Sequence, residues 1–292
     1  MRQVYKNNLM QKSIRKPDVC VISDVHLATM ASKAKLLLSY LKSIQPRMLV
    51  LNGDIIDSWR FSRNYFPKPH LKVIRRLVKM IENGVQVIYV TGNHDDVLRK
   101  FNHIRLGSFS IVNQLEINTG NQKVWIFHGD VFDHIIHHFT WLARFGAAAY
   151  AWLTGVNSAL NMVLKLFGGK EMILYKSMKE RILKEKKVLS NFERAVANAA
   201  VAKKSDLVIC GHTHLPADKT ITTEKGTVRY LNCGDWIENL SMVECNEGRW
   251  ELKYFRWDPE EEESDHPDEL DIPDKDQLYR SILAELNVIL PA

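Results

Sequence analysis

Apolar runs of strand length alternate with stretches of helical period through the first third of the chain. Asp18–Ser23 (DVCVIS), Arg47–Asn52 (RMLVLN) and Val85–Val90 (VQVIYV) are short, apolar and β-branched, long enough for buried strands. Between the first two, Ser32–Ile44 is rich in helix formers. Between the second and third, His70–Asn83 places Leu71, Ile74, Leu77, Val78 and Ile81 at the spacing of an amphipathic helix, which Gly84 closes. Strand–helix–strand repetition of this kind predicts a sheet with helices packed against it.

From Ser108 the pattern shortens. Lys123–Phe127 (KVWIF) and Asp206–Cys210 (DLVIC) read as strands. Thr220–Thr223, Thr227–Leu231, Ser241–Cys245 and Trp250–Trp257 follow as β segments, with turns at Lys225–Gly226 and Glu247–Gly248. A mixed α/β half followed by a β-rich one predicts two sheets packed face to face. The 78 residues between the strands at 123–127 and 206–210 read as helical. Within them Phe145–Leu164 carries no charge over twenty positions, about the length of a membrane span. Thr154, Asn157, Ser158, Asn161 and two glycines interrupt it, and Arg144 and Lys165 bound it, so a helical cap or an element touching a membrane interface fits better than a span. Lys176–Lys204 is a basic helix whose Lys184, Lys186 and Lys187 face either solvent or phosphate. The expected organisation is an α/β domain over 1–257, a helical cap inserted at about 131–204, and an acidic, proline-containing tail at 258–292 with a short docking helix at Leu278–Leu290.

Charge sharpens this division. The 292 residues carry a formal net charge of +6, but residues 258–292 hold twelve acids against Lys275 and Arg280. That tail stands at −10 and the remainder at +16. A body that basic suits an anionic partner: a phosphorylated substrate, nucleic acid or a membrane surface. At 46% hydrophobic and 25% charged residues, collagen-like and wholly disordered readings are excluded. Cys20, Cys210, Cys233 and Cys245 are too few and too irregular for a disulfide framework and read as reduced thiols. The basic start lacks the apolar stretch of a secretory signal, so the expected location is cytoplasmic.

Five short polar elements sit just after expected strands: Asp24–Val25–His26, Gly53–Asp54, Gly92–Asn93–His94–Asp95, His128–Gly129–Asp130 and Gly211–His212–Thr213–His214. Each places carboxylate, amide or imidazole groups at the carboxyl end of a β segment, where α/β folds build their sites. Any one alone is weak, since Gly-Asp is commonly a turn and a single imidazole can simply bond the backbone. Five in order is another matter, because no packing requirement explains so many polar groups that would be costly to bury unpaired. Oxygen donors mixed with imidazoles suit Mn²⁺, Fe²⁺ or Zn²⁺.

The ordered set D-x-H, G-D, G-N-H-D, H-G-D and G-H-x-H resembles the calcineurin-like metallophosphoesterases, over about Asp18 to Trp257. The resemblance implies a four-layer αββα sandwich around a dinuclear metal centre. Carried over by position, Asp24, His26, Asp54 and His214 would ligate one ion; Asp54 would bridge to a second, held also by Asn93, His128 and His212. His94, not needed as a ligand, would contact phosphoryl or leaving-group oxygen as the catalytic residue. Asp95 would orient an imidazole or, equally, open a helix.

Within that superfamily the helical insertion and the ending Gly211–Pro216 (GHTHLP) resemble the UDP-2,3-diacylglucosamine pyrophosphatases of lipid A biosynthesis. Such enzymes split the pyrophosphate of a UDP-linked acylated sugar, and an apolar cap and basic body would suit that substrate and the cytoplasmic face of a membrane. That group typically carries G-N-R-D where this chain has His94, which leaves open another nucleotide, sugar phosphate or phospholipid. A non-enzymatic scaffold of the same fold is the more distant alternative. Nucleic acid is not expected, for want of an aromatic–basic stacking platform. Arg60 and Arg99 are candidate phosphate contacts, with surface salt bridges as the alternative. Asp133, His134, His137 and His138 could gather on one helical face as substrate contacts, ordinary packing or a third metal site. Cys210 and Cys233 read as buried, inert thiols.

Overall fold

The computed structural model of the chain describes residues 14–58, 66–133 and 175–256, with side chains of the last stretch from 189 onward. In the strand Val19–Ile22 (β1) all four residues are buried, and alternate ones enter different cores. Val19 and Val21 join Val50 and Val90 in packing against Val124, Ile126, Leu207, Ile209 and Leu231 of a second sheet. Cys20 and Ile22 face the opposite way, onto two helices, Ala34–Lys42 (α1) and Lys68–Glu82 (α2). A strand buried on both faces reads as a continuous apolar run, which is why DVCVIS shows no alternation.

The first sheet also contains Met48–Asn52 (β2), Gln86–Val90 (β3), Arg105–Leu106 (β4), Phe109–Val112 (β5), Ser241–Asn246 (β11) and Arg249–Tyr254 (β12), in the order β12-β11-β1-β2-β3-β5-β4. The second has five strands: Leu115–Thr119 (β6), Gln122–Ile126 (β7), Leu207–Cys210 (β8), Ala217–Thr223 (β9) and Gly226–Asn232 (β10), in the order β6-β7-β8-β10-β9. A third helix, Tyr175–Ala202 (α3), covers the outer face of this sheet, with Phe192, Val196, Ala197 and Ala200 on Trp125, Val208 and Tyr230. Helices, sheet, sheet and helix therefore stack in four layers.

The β-rich end of the chain is shared between the sheets: β9 and β10 join the second, while β11 returns to the first, antiparallel to β1 with Val21 opposite Val243. One sequence expectation needs correction. The face of α2 is rotated from the expected stripe. Leu71 and Val78 are exposed, whereas His70, Val73, Leu77 and Met80 are buried. His70 turns inward because its Nδ1 accepts the Ala28 amide N–H at 3.0 Å, while Arg76 reaches over α1 to the carbonyls of Leu41 and Ile44. Gly84 closes α2 as expected. It adopts φ +82°, and the following Val85 N–H returns to the Met80 carbonyl at 2.9 Å, the left-handed cap that suits glycine.

All four cysteines are buried and free. Burial pushes the Cys20 and Cys210 thiols up to about 12, consistent with inert packing groups. Arg60, His134, His137, His138, the stretch Phe145–Leu164, the side chains of Lys184, Lys186 and Lys187, and the tail 258–292 lie outside the described residues. Among the described residues no helix is long and apolar enough to cross a membrane.

Candidate metal centre

Strands β1, β2 and β3 run parallel in one sheet and β7, β8 and β10 run parallel in the other. The five polar elements follow five of these strands and converge. Three groups of side chains bring their donor atoms within 4.8 Å of one another: Asp24, His26 and His214; His26, Asp54 and His94; and Asp54, His128 and His212.

The backbone is bent to achieve this. Asp24, His26, Asp54, His212 and His214 all adopt left-handed conformations, with φ between 50° and 64°. Each is costly for a residue with a Cβ and persists only where the surroundings enforce it, a condition that clusters at functional sites. Glycine supplies room as well as turning. A Cβ on Gly92 would collide with the Asp54 carboxylate, and one on Gly211 with Ser23 and Asp24.

Asp54 sits at the join. Its Oδ1 accepts the His94 amide N–H at 2.9 Å. Its Oδ2 lies 3.3 Å from His128 Nε2 and 3.8 Å from His26 Nε2. Asp24 divides its oxygens similarly. Oδ2 accepts from Ser23 Oγ at 2.6 Å and the His212 amide at 3.0 Å, leaving Oδ1 facing His214 Nε2 at 3.0 Å. His128 Nδ1 donates to the Asn52 carbonyl at 3.0 Å, which turns Nε2 inward.

The electrostatics call for positive charge at this point. Burial alone would raise the Asp54 pKa, yet the charge and hydrogen bond of His128, with the charges of His26 and His94, hold it far below the usual carboxylate range. Burial pulls His128 the other way, and Asp54 outweighs it to leave His128 well above an ordinary imidazole. Meanwhile Asp24 Oδ1, His26 Nε2 and Asn93 Oδ1 are buried with no hydrogen-bond partner. Orphaned buried acceptors of this kind are rare and costly. Divalent cations would satisfy them, and the residues present fit such ions.

His94 is the most solvent-open of these imidazoles, its side chain 29% exposed, and its Nδ1 lies 3.2 Å from the buried Asp57 carboxylate. The same carboxylate oxygen is 3.7 Å from His26 Nδ1. Asp57, three residues after Asp54, was not singled out from the sequence. Asp95 stands at the N-terminus of the 3₁₀ turn Asp96–Phe101, one of the two places expected of it, but its side chain makes no cap bond. It accepts from the Gly92 amide at 2.5 Å, the Ile55 amide at 3.0 Å and the Tyr89 hydroxyl at 2.6 Å, so it ties the loops after β2 and β3 together. Arg99 pairs with Asp130 and lies 3.5 Å from the Gly92 carbonyl, bracing the third element against the fourth. Asp133 meets His212 at Nε2.

A sixth loop belongs to the site and was missed. Asn232–Asp235 (NCGD) ends β10, and Asn232 Nδ2 donates to the Gly211 carbonyl at 2.7 Å and Thr213 Oγ1 at 3.0 Å. Asp235 Oδ2 lies 3.2 Å from His214 Nδ1. The available signal was an apolar β segment followed by Gly-Asp, the same one that marks Gly53–Asp54.

Residues 17–216 match the calcineurin-like phosphoesterase family, and the chain belongs to it. It is accordingly a hydrolase of the metallophosphoesterase class. It is 23% identical over 236 residues to the UDP-2,3-diacylglucosamine hydrolase of Blochmanniella pennsylvanica (strain BPEN), covering 78% of this chain and 92% of that one. It is 26% identical over 241 residues to the UDP-2,3-diacylglucosamine hydrolase of Neisseria gonorrhoeae (strain ATCC 700825 / FA 1090), covering 76% and 91% respectively. Among solved structures it is similar to a dimetal phosphatase from Danio rerio, with a TM-score of 0.38, 16% identity, and coverage of 81% of this chain and 96% of that one.

Proposed function

We propose that the protein hydrolyses the pyrophosphate of UDP-2,3-diacylglucosamine, giving UMP and 2,3-diacylglucosamine 1-phosphate, at a centre of two divalent cations. The observation that carries the dimetal reading is Asp54 Oδ2, set between His128 Nε2 and His26 Nε2 where one carboxylate can serve two ions. Asp24, His26, Asp54 and His214 would hold one ion; Asp54, Asn93, His128 and His212 would hold the other. Mixed oxygen and imidazole donors favour Mn²⁺, with Fe²⁺ or Zn²⁺ as alternatives. Two such ions supply a Lewis-acid clamp on phosphoryl oxygens and lower the pKa of water near them.

The chain's own groups do the rest. His94 reaches from the rim, with Asp57 behind Nδ1, so its Nε2 is the end that contacts phosphoryl oxygen or delivers a proton to the leaving oxygen. The basic body draws an anionic substrate toward the site. Exposed apolar residues follow four of the motif elements: Met30, Val97 with Phe101, Val131 and Leu215. Exposed apolar groups on the loops that carry a charged centre suit a substrate with a charged head and acyl chains, presented at the cytoplasmic face of a membrane. His94 itself favours a second reading, in which the same centre acts on another phosphorylated small molecule, because the lipid A enzymes typically place arginine there.

Mn²⁺-loaded protein assayed on UDP-2,3-diacylglucosamine beside bis-p-nitrophenyl phosphate separates the two. UMP release that stops on chelation supports the first. Diester cleavage without UMP release supports the second, and neither activity overturns both.

A further inference from the structure

Asp235 is fully buried and uses its two oxygens differently. Oδ1 accepts the amide N–H groups of Ile237 at 3.1 Å, Glu238 at 2.9 Å and Asn239 at 2.9 Å, which closes a turn. Oδ2 is turned to His214 Nδ1. An ionised carboxylate only accepts, so the proton of that contact sits on Nδ1 and the lone pair on Nε2, the nitrogen 3.0 Å from Asp24 Oδ1. The same turn holds the ring's backbone, since Asn239 Nδ2 donates to the His214 carbonyl at 2.9 Å. It also holds Asp24, whose carbonyl accepts the Trp236 amide at 3.1 Å.

These contacts fall on one ligand set. Asp24 and His214 are both fastened by the turn from 235 to 239. On the other side of Asp54, the ring of His128 is fixed by the Asn52 carbonyl and that of His212 by Asp133. We propose that Asp235 is a positioning residue for one ion of the pair: it fixes the tautomer of His214 so that Nε2 is the ligand, and thereby sets the affinity of the Asp24–His26–His214 site without setting that of its neighbour. The proposal rests on the two-ion reading above.

The direct test is Asp235→Asn. Asparagine keeps an oxygen for the three amides but offers N–H to His214, which favours the inverted tautomer with Nε2 protonated. Metal-stripped wild type and variant are titrated with Mn²⁺ by calorimetry. The expected result is two sites in the wild type, one of which weakens by about 10–100-fold in the variant while the other is unchanged. Two wild-type affinities in the variant overturn the proposal, and so does equal weakening of both. A wild type that binds fewer than two ions overturns the two-ion reading instead. Should the variant fail to fold, nitrogen-15 NMR of the Zn²⁺-loaded wild type decides: a slowly exchanging Nδ1–H on His214 supports the assignment, and an Nε2–H on that ring overturns it.

Discussion

Two clusters of buried charge in this protein are built on opposite terms. On β11, Glu244 is 1% exposed and surrounded by donors: Arg15 Nη1 at 2.8 Å to both oxygens, Tyr40 Oη at 2.8 Å and Lys253 Nζ at 3.0 Å. Burial would raise its pKa, but Lys253, Tyr40 and Arg15 bring it below the ordinary glutamate value. The cluster closes on itself. At the ends of the parallel strands, Asp24 and Asp54 meet imidazoles instead of lysine or arginine, three acceptor atoms lack hydrogen bonds, and five ligand-bearing residues take left-handed backbone conformations. A buried carboxylate supplied with the chain's own cations is a structural device. One held among unsatisfied acceptors on a strained backbone is prepared for a cation from outside.

The largest effect that would break this comparison comes from removing the carboxylate shared by both ligand groups. Asp54→Ala is expected to lower turnover by more than about 10³-fold, beyond the loss of a single transition-state hydrogen bond, and to abolish tight binding of at least one ion. Metal content by elemental analysis, read beside the phosphodiesterase rate, checks it. If Asp54→Ala retained two ions and most of its activity, Asp54 would be another self-contained carboxylate like Glu244. Next in size is His94→Ala, which should keep both ions yet lose about 10²-fold in kcat, the scale of a positioned proton donor. Normal turnover in that variant would remove His94 from the chemistry.

How much of this contrast the sequence revealed depends on what each residue needs from its neighbours. The five elements were legible because each follows a buried strand whose apolar run is local and unmistakable. The two-sheet architecture followed from the same runs. The sixth loop was not recognised, although Thr227–Leu231 followed by Gly234–Asp235 repeats the pattern, because Asn-Cys-Gly-Asp also reads as a turn between consecutive β segments. Asp57 and Asp95 show a different limit. Their partners, His94 for one and the amides of Gly92 and Ile55 for the other, are set by loops from neighbouring parallel strands. Glu244 was invisible for the same reason: Arg15 lies 229 positions away in sequence, and nothing local pairs them. The return of β11 to the first sheet, which creates that pairing, is itself a non-local choice.

Chelation sharpens the comparison from the metal side. Stripped protein should lose all activity and melt at a lower temperature than the loaded form, since ions that bind only the folded state stabilise it by mass action. Glu244→Gln should melt lower with or without ions and leave metal content and kcat unchanged. A chelator that left both melting and activity untouched would show that the orphaned acceptors are not a metal site.

The smallest effect is the stability held by Glu244, and its pH dependence has a definite sign. Arg15 and Lys253 are 47% and 33% exposed, so their Coulomb contribution is screened, and once unpaired they can be hydrated. Glutamine keeps an oxygen for the buried Tyr40 hydroxyl but loses the charge, so Glu244→Gln is expected to cost about 1–2 kcal/mol at neutral pH, the scale by which charged hydrogen bonds at a buried acceptor exceed neutral ones. Because the folded pKa of Glu244 lies below its unfolded value, the unfolded chain takes up the proton first as acid is added. The stabilisation is therefore complete above the unfolded carboxylate pKa, near 4.3, and is lost as pH falls through the folded value. Urea unfolding of metal-stripped wild type and variant, followed from pH 7 downward, should give a constant gap that narrows only below about pH 4.5. A gap that instead closed around pH 6 to 7 would assign it to imidazoles, placing the stabilising charge at the metal centre rather than at β11.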